Sequence, residues 1–348
     1  MNGETRKRDA FVASFLPPKI PRLWCPLLTH YRENGDIDYE RMSAHLRFVL
    51  PHVKGYLIPG STGDGWELDD RETLEVVDFA LRRSREHEMY LLLGVLRTDL
   101  ESMNRVLENM IGALHGVSRT GDIGESLQKS HVCGFTICPP KGKNLSQEEI
   151  WSALSEIMKR GLPTALYQLP QVTENEVAPE TFERLVAVHP NLVFCKDSSG
   201  HDRIALSSVK KGGVYLVRGA EGDYARWLKD TGGPYDGFLL STANCFPSLL
   251  LKVINAIEAG DISSAEKISG KISGAVRQVF SLVQPLPHGN AFTNANKAFD
   301  HYMALGAAAA KKPGPVLHAK VRLPESVLSA AGDILKRYDL MPRKGYLE

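Results

Sequence analysis

"TALYQLPQVTENEVAPETFERLVAVHPNLVFCKDSSG", residues 164–200, reads as a strand, a helix and a strand in succession. Thr164–Leu169 is a short apolar run that stops at Pro170. Leu192–Lys196 is another, stopping at a polar, flexible turn. Between them "APETFERLVAVHP" has the length and periodicity of an amphipathic helix. The same alternation runs along most of the chain. Strands are expected near Leu23–Leu28, Gly55–Pro59, Met89–Val95, Val132–Cys138, Val214–Arg218 and Asp236–Leu240 as well. Helical stretches such as "DYERMSAHLRFVL", "RETLEVVDFALRRSREH" and "SQEEIWSALSEIMKRG" lie between them. Eight strands with crossover helices is the count of a (β/α)8 TIM barrel. A doubly wound open sheet is the alternative, weakened by the absence of its GxGxxG fingerprint.

After Asn244 the strands stop, and four helical stretches follow, beginning with "FPSLLLKVINAIEAGD". The expected layout is a catalytic barrel over 20–246 and a C-terminal helical region over 247–348. One stretch fits poorly. "GVSRTGDIGESLQKS", 116–130, is long and polar ahead of the fourth strand and reads as an inserted surface loop with a helical turn.

The 348 residues include 43% hydrophobic and 24% charged, as in a soluble globular protein, with 42 basic and 41 acidic side chains. A net charge of +1 predicts no polyanionic partner such as nucleic acid. The N-terminus "MNGETRKRDAFVASFLPPKIP" is charged, then proline-broken, without a signal peptide's apolar stretch. No run of about 18 apolar residues exists to span a membrane. A cytoplasmic protein is expected. The five cysteines are scattered and odd in number, and read as buried free thiols. The eleven histidines show no ligand spacing, so neither a metal nor a cofactor is expected.

In a barrel, working residues come from the C-terminal ends of strands. "GSTGDGWEL", 60–68, follows the second strand. Its glycines allow a tight turn, and Ser61 and Thr62 add hydroxyls. Such a turn either points several N–H groups at a carboxylate or is an ordinary strand-to-helix connection. Tyr167 closes the fifth strand, as a proton-passing phenol or as half-buried packing. Lys196 closes the sixth. Either its stem packs along the strand with the ammonium in water, or burial favours the free amine and makes it a nucleophile. A carboxylate nest, a phenol and an amine at one mouth are what 2-keto acid chemistry needs.

"GSTGDG", "YQLP" and "CKDSSG", in that order and spacing, resemble the GTTGE, YNxP and (I/L)K(D/E) motifs of the dihydrodipicolinate synthase and N-acetylneuraminate lyase family, class I pyruvate-type aldolases. The resemblance covers about residues 20–340. It implies Lys196 as the Schiff-base lysine, Tyr167 as the proton shuttle, and Ser61 and Thr62 as the carboxylate-binding pair. "GFLLSTAN", 237–244, is similar to the family's eighth-strand segment. That implies Leu239 beside the Schiff base and Ser241 toward the substrate's distal end. "RGAEG", 218–222, implies Glu221 as an acceptor for substrate hydroxyls. A homo-oligomer, dimer or tetramer, is also implied. Two positions depart from the synthases. Val172 stands where they have an arginine that holds a second carboxylate. "CPPKGK", with Pro140 and Lys141, stands where they place a tyrosine that reaches a neighbouring subunit.

The expected function is a Schiff-base lyase cleaving a 2-keto acid to pyruvate or glyoxylate plus an aldehyde or keto acid. A 2-keto-3-deoxy sugar acid dehydratase and a synthase-type condensation use the same imine. A non-catalytic 2-keto acid binding protein is the rival from another class. Val172 and Gln171 face the variable half of the substrate. With no charged clamp there, a neutral polyol or apolar tail fits better than a second carboxylate.

Overall fold

A computed structural model describes residues 3–348. Eight parallel strands close into a barrel in chain order: β1 (Leu23–Cys25), β2 (Gly55–Ile58), β3 (Tyr90–Gly94), β4 (Val132–Ile137), β5 (Thr164–Gln168), β6 (Leu192–Asp197), β7 (Tyr215–Arg218) and β8 (Gly237–Leu239), the last pairing back onto β1. Before β1 lies α1 (Gly3–Phe15). The connections carry α2 (Tyr39–Val49), α3 (Asp70–His87), α4 (Leu100–Ser118), α5 (Ile123–Lys129), α6 (Gln147–Met158), α7 (Pro170–Thr173), α8 (Pro179–Val188) and α9 (Arg203–Leu206). After β8 come α10 (Pro247–Glu258), α11 (Ile262–Val283), α12 (Ala291–Leu305) and α13 (Glu325–Arg337). The architecture is a (β/α)8 barrel with C-terminal helices. All eight expected strands are present, with ends shifted by up to three residues. The seventh connection departs from the ideal: only the 3₁₀ turn Lys229–Thr231 joins β7 to β8.

Alternation along the strands decides what faces the interior. Trp24, Leu57, Leu92, Ala165, Phe194 and Leu239 meet in one buried cluster inside the barrel. Trp24 is fully buried and meets Phe194 edge to face, with ring centroids 5.1 Å apart. Gly55, its register partner on β2, has no room for a side chain, because a Cβ there would lie 2.2 Å from the indole. Tyr90 and Tyr215, which begin β3 and β7, pack on the same cluster, so this filling sits at the N-terminal end. There α1 closes the barrel with Phe11, Val12, Phe15 and the following Leu16. The proline-broken reading of the N-terminus missed this helix. Its buried Arg8 donates to the carbonyls of Val186, His189, Leu192 and Gly212.

The 116–130 stretch is not a surface loop. Residues 116–118 finish α4, Arg119 turns the chain in a left-handed conformation, and Asp122 caps α5. Its three serines are buried, while Arg119, Asp122, Glu125, Gln128 and Lys129 are exposed. Ser118 donates to Ser126 at 2.8 Å, and the Ser130 carbonyl accepts from Ser84 at 2.9 Å. The polarity of this segment comes mainly from the exposed faces and ends of two helices.

Two residues beyond Ala165 and Phe194, which pair across β5 and β6, lie Tyr167 and Lys196, paired the same way. Both therefore point into the barrel, at the C-terminal end that α1 leaves open. The tail comes back to this end, where α12 packs against the turn after β2.

Candidate active site

Lys196 is 4% exposed, and its Nζ lies 4.0 Å from the centroid of the Tyr167 ring. Room for its stem comes from the end of β7. A Cβ on Gly219 would lie 2.8 Å from Lys196 Cε and 2.1 Å from Ser198 Oγ. Gly219 is drawn in by its N–H, which donates to the Asp197 carbonyl at 2.7 Å. Asp197 itself points out of the barrel, where burial raises its carboxyl above the usual range against a hydrogen bond from Ser199.

The Tyr167 hydroxyl is 3.0 Å from Ser61 Oγ. Ser61 and Thr62 begin a buried 3₁₀ turn, Ser61–Gly63. The turn needs glycine at 63, because a Cβ there would come within 2.4 Å of the Leu27 carbonyl oxygen. The residue after it, Asp64, takes a left-handed conformation. Buried Asp64 is held by Lys297 of α12 at 3.2 Å and by the Tyr31 hydroxyl at 3.0 Å. Burial lowers the Lys297 ammonium pKa, with Asp64 opposing the shift. Two further residues bind the turn's carbonyls. Asn290 donates to Ser61 at 3.0 Å, and the Thr293 hydroxyl reaches Ser61 at 3.1 Å and Thr62 at 3.0 Å.

Glu221 and Ser241 form a second group across the mouth. The Glu221 carboxylate accepts from Ser241 Oγ at 2.6 Å, the Thr242 N–H at 3.0 Å, Thr242 Oγ1 at 2.7 Å and the Tyr224 hydroxyl at 2.7 Å. It thus ties the loop after β7 to the loop after β8. Burial and the Glu221 charge push the Tyr224 phenol well above its ordinary value. Cys25, ending β1, is buried. Its thiol is pushed up by burial and by Glu221, and down by Lys196. Leu239 lies deeper, in the interior cluster, two residues before Ser241. Val172 is half-buried against Tyr167, Leu96 and Leu169, with Trp66 and Phe292 on the same small cluster.

Ser61, Tyr167 and Lys196 therefore stand in contact sequence, with Thr62 in the same turn. Trp66, Gly219, Asn290 and Thr293 were not singled out in the sequence. Trp66 adjoins the glycine-rich turn and donates from Nε1 to Ser61 Oγ at 2.7 Å. Nothing near 290 in the chain marks a partner so far upstream. Among the described residues, no group of three His, Cys, Asp or Glu side chains is placed to hold a metal ion. No helix among them is long and apolar enough to cross a membrane.

A model of the dihydrodipicolinate synthetase family matches residues 116–292, just over half of the chain. The chain belongs to the dihydrodipicolinate synthetase family. Among named relatives, the 4-hydroxy-tetrahydrodipicolinate synthase of Agrobacterium fabrum is 24% identical over 259 residues, covering 73% of this chain and 81% of the relative. That of Streptococcus suis is 25% identical over 263 residues, covering 75% and 78%. Among solved structures, a prophage protein of the dihydrodipicolinic acid synthase family from E. coli K12, in complex with pyruvate, superposes with a TM-score of 0.71 at 18% identity, covering 92% of this chain and 99% of that one. Dihydrodipicolinate synthase from Thermotoga maritima gives 0.68 at 17% identity, with the same coverage. These structural likenesses establish a shared fold.

Within the family's pattern, the two departures have structural settings. Val172 belongs to an apolar wall. Lys141 pairs with Glu174 at 3.2 Å on the surface, and the loop carrying it is fastened by Asn175, which donates to the carbonyls of Pro140 and Gly142.

Proposed function

We propose that this protein is a class I lyase in which Lys196 forms a Schiff base with a 2-keto acid. The observation that carries the reading is the contact sequence Ser61–Tyr167–Lys196, with 3.0 Å between the hydroxyls and 4.0 Å from the amine to the phenol ring. The substrate carboxylate docks against Ser61 and Thr62, which brings the ketone carbon to the amine. Attack gives a carbinolamine. The Tyr167 proton leaves with the departing hydroxide as water, forming the iminium and a phenolate. In the cleavage direction that phenolate takes the proton of the substrate's distal hydroxyl. The carbon–carbon bond breaks, its electrons move into the iminium to form an enamine, and the aldehyde or keto acid departs. Protonation of the enamine carbon and hydrolysis then release pyruvate and restore the free amine, and glyoxylate, where it is a product, is the aldehyde that departed in the cleavage. Leu239 keeps water from the imine. Ser241, its proton committed to Glu221, meets the distal end of the substrate as an acceptor.

The name of the relatives favours a second reading, condensation through the same imine. Val172 weighs against its synthase form, since an apolar wall leaves a second carboxylate unpaired. Incubation with pyruvate and borohydride tests the shared step. The expected result is a reduced adduct on Lys196 by mass spectrometry, absent from Lys196→Ala. Tyr167→Phe should slow turnover by roughly 10²- to 10⁴-fold. A panel of 2-keto acids, followed for release of pyruvate, separates cleavage from condensation. An adduct on another lysine, or none with any short 2-keto acid, defeats the proposal.

A further inference from the structure

Trp66 is half-buried beside the site, and its ring lies over that of Tyr167 with centroids 6.4 Å apart and planes 29° from parallel. Its Nε1 donates to Ser61 Oγ at 2.7 Å, and Ser61 Oγ is 3.0 Å from the Tyr167 hydroxyl. An indole N–H is a donor only. Ser61 must therefore be the acceptor in that bond, which leaves its oxygen electron-poor, a weaker acceptor and a stronger donor toward its other neighbour. The Ser61 proton then points at Tyr167 Oη, and the phenolic proton is free to point into the site. We infer that Trp66 is a positioning residue that orders this hydrogen-bond chain, Trp66 to Ser61 to Tyr167, so that Tyr167 presents its proton to the substrate and returns to a Ser61-bonded phenolate when it gives the proton up.

The chain lies within one polypeptide. The loop at Pro140–Lys141 supplies no hydroxyl of the kind the synthases place there, while Trp66 occupies Ser61 from the turn that also holds the carboxylate-binding pair. The inference rests on the Schiff-base reading and concerns only the proton's direction. In that reading, bound pyruvate loses a methyl proton to the Tyr167 phenolate as the iminium becomes the enamine, and regains one in the reverse step. Methyl exchange in D2O therefore reports Tyr167 without knowledge of the natural substrate.

The experiment measures, for the full chain, borohydride trapping of pyruvate on Lys196 and methyl exchange by NMR. Trp66→Phe keeps an aromatic ring and removes the N–H. It should trap pyruvate to the wild-type extent and exchange roughly tenfold more slowly, the worth of one lost hydrogen bond. Because Trp66 acts through Ser61, the double variant Trp66→Phe/Ser61→Ala should be no slower than Ser61→Ala alone. Trp66→His, which retains a ring N–H, should exchange faster than Trp66→Phe and guards against a fold-wide effect of losing the indole. Wild-type exchange in Trp66→Phe, equal rates in the Phe and His variants, or losses that multiply in the double variant overturn the inference while leaving the Schiff base standing. A wild-type protein that forms no adduct overturns the Schiff-base reading itself, and this inference with it.

Discussion

Asn290, at the start of a tail helix, donates to the backbone carbonyl of Ser61 in the barrel at 3.0 Å. The same side chain caps its own helix, its Oδ1 accepting from the Thr293 N–H at 2.9 Å. The C-terminal region is therefore part of the site's frame. One amide fixes both where α12 begins and where the Ser61–Gly63 turn of the candidate site lies.

Asn290→Ser separates these duties. Serine is a good cap but too short to reach Ser61. The expected outcome is a rise of about fivefold in the pyruvate concentration for half-maximal borohydride trapping, the worth of roughly one hydrogen bond, with the thermal midpoint little changed. Unaltered half-saturation would show that the turn holds its shape without the tail. Thr293→Val, which removes the other two bonds to the turn, should act in the same direction.

Much of the barrel and the centre of the candidate site are legible in the sequence because both follow local rules. Strands announce themselves as apolar runs, and Ser61, Tyr167 and Lys196 each stand where such a run ends. What stays hidden depends on pairing across the chain. Asn290 and Ser61 are more than two hundred residues apart, and no local pattern links them. Trp66 reads as any aromatic beside a turn until its N–H is seen on Ser61. α1 escapes for a related reason. Its charged first half carries no apolar stripe, and its helix is sustained by Phe11, Val12 and Phe15 packing beneath the barrel. The 116–130 segment misleads because most of its polar residues lie on the exposed faces and ends of helices, and composition does not tell a solvated helix face from a loop.

Arg8 gives the clearest test of that packing. Its guanidinium meets four backbone carbonyls that have left water, those of Val186, His189, Leu192 and Gly212. Arg8→Met keeps the bulk and strands those acceptors. A loss on the order of 3 kcal/mol is expected, read from the urea midpoint. Arg8→Lys should recover only part, since an ammonium lacks the planar fork that reaches several carbonyls at once. A midpoint unchanged in Arg8→Met would mean that α1 contributes little to stability.

Acid should destabilise the protein through a buried histidine pair. His30 Nε2 lies 3.1 Å from His45 Nδ1, and His45 Nε2 donates to the Asn244 carbonyl at 2.9 Å. Burial holds His30 well below 6.5, helped by the charges of Arg41, His45 and Lys297. It holds His45 below 6.5 too, against the opposing pull of Asp300. Well above 6.5 both imidazoles are neutral whether folded or unfolded, and they contribute no slope. Below it the unfolded chain takes up protons that the folded protein refuses, so stability falls with pH. The thermal midpoint should drop between pH 7.5 and 5.5, and His30→Gln should flatten that drop. An identical drop in the variant would assign the acid sensitivity to other groups.

Gly219 bears on the lysine itself. Its missing side chain leaves the space that Lys196 Cε and Ser198 Oγ occupy, and a methyl group would meet them at 2.8 and 2.1 Å. Neither is the free end of a surface side chain. Lys196 is confined by the Tyr167 ring, and Gly219 is anchored to the Asp197 carbonyl. In Gly219→Ala the methyl group must push the lysine stem or move the end of β7. A displacement of about 1 Å at a reacting amine costs on the order of a hundredfold in rate. The rate of adduct formation with pyruvate should fall by that order, while circular dichroism and the thermal midpoint change little, because the strain is local to the mouth. Unimpaired trapping in Gly219→Ala would mean that the amine works from a different position than the one it holds against Tyr167.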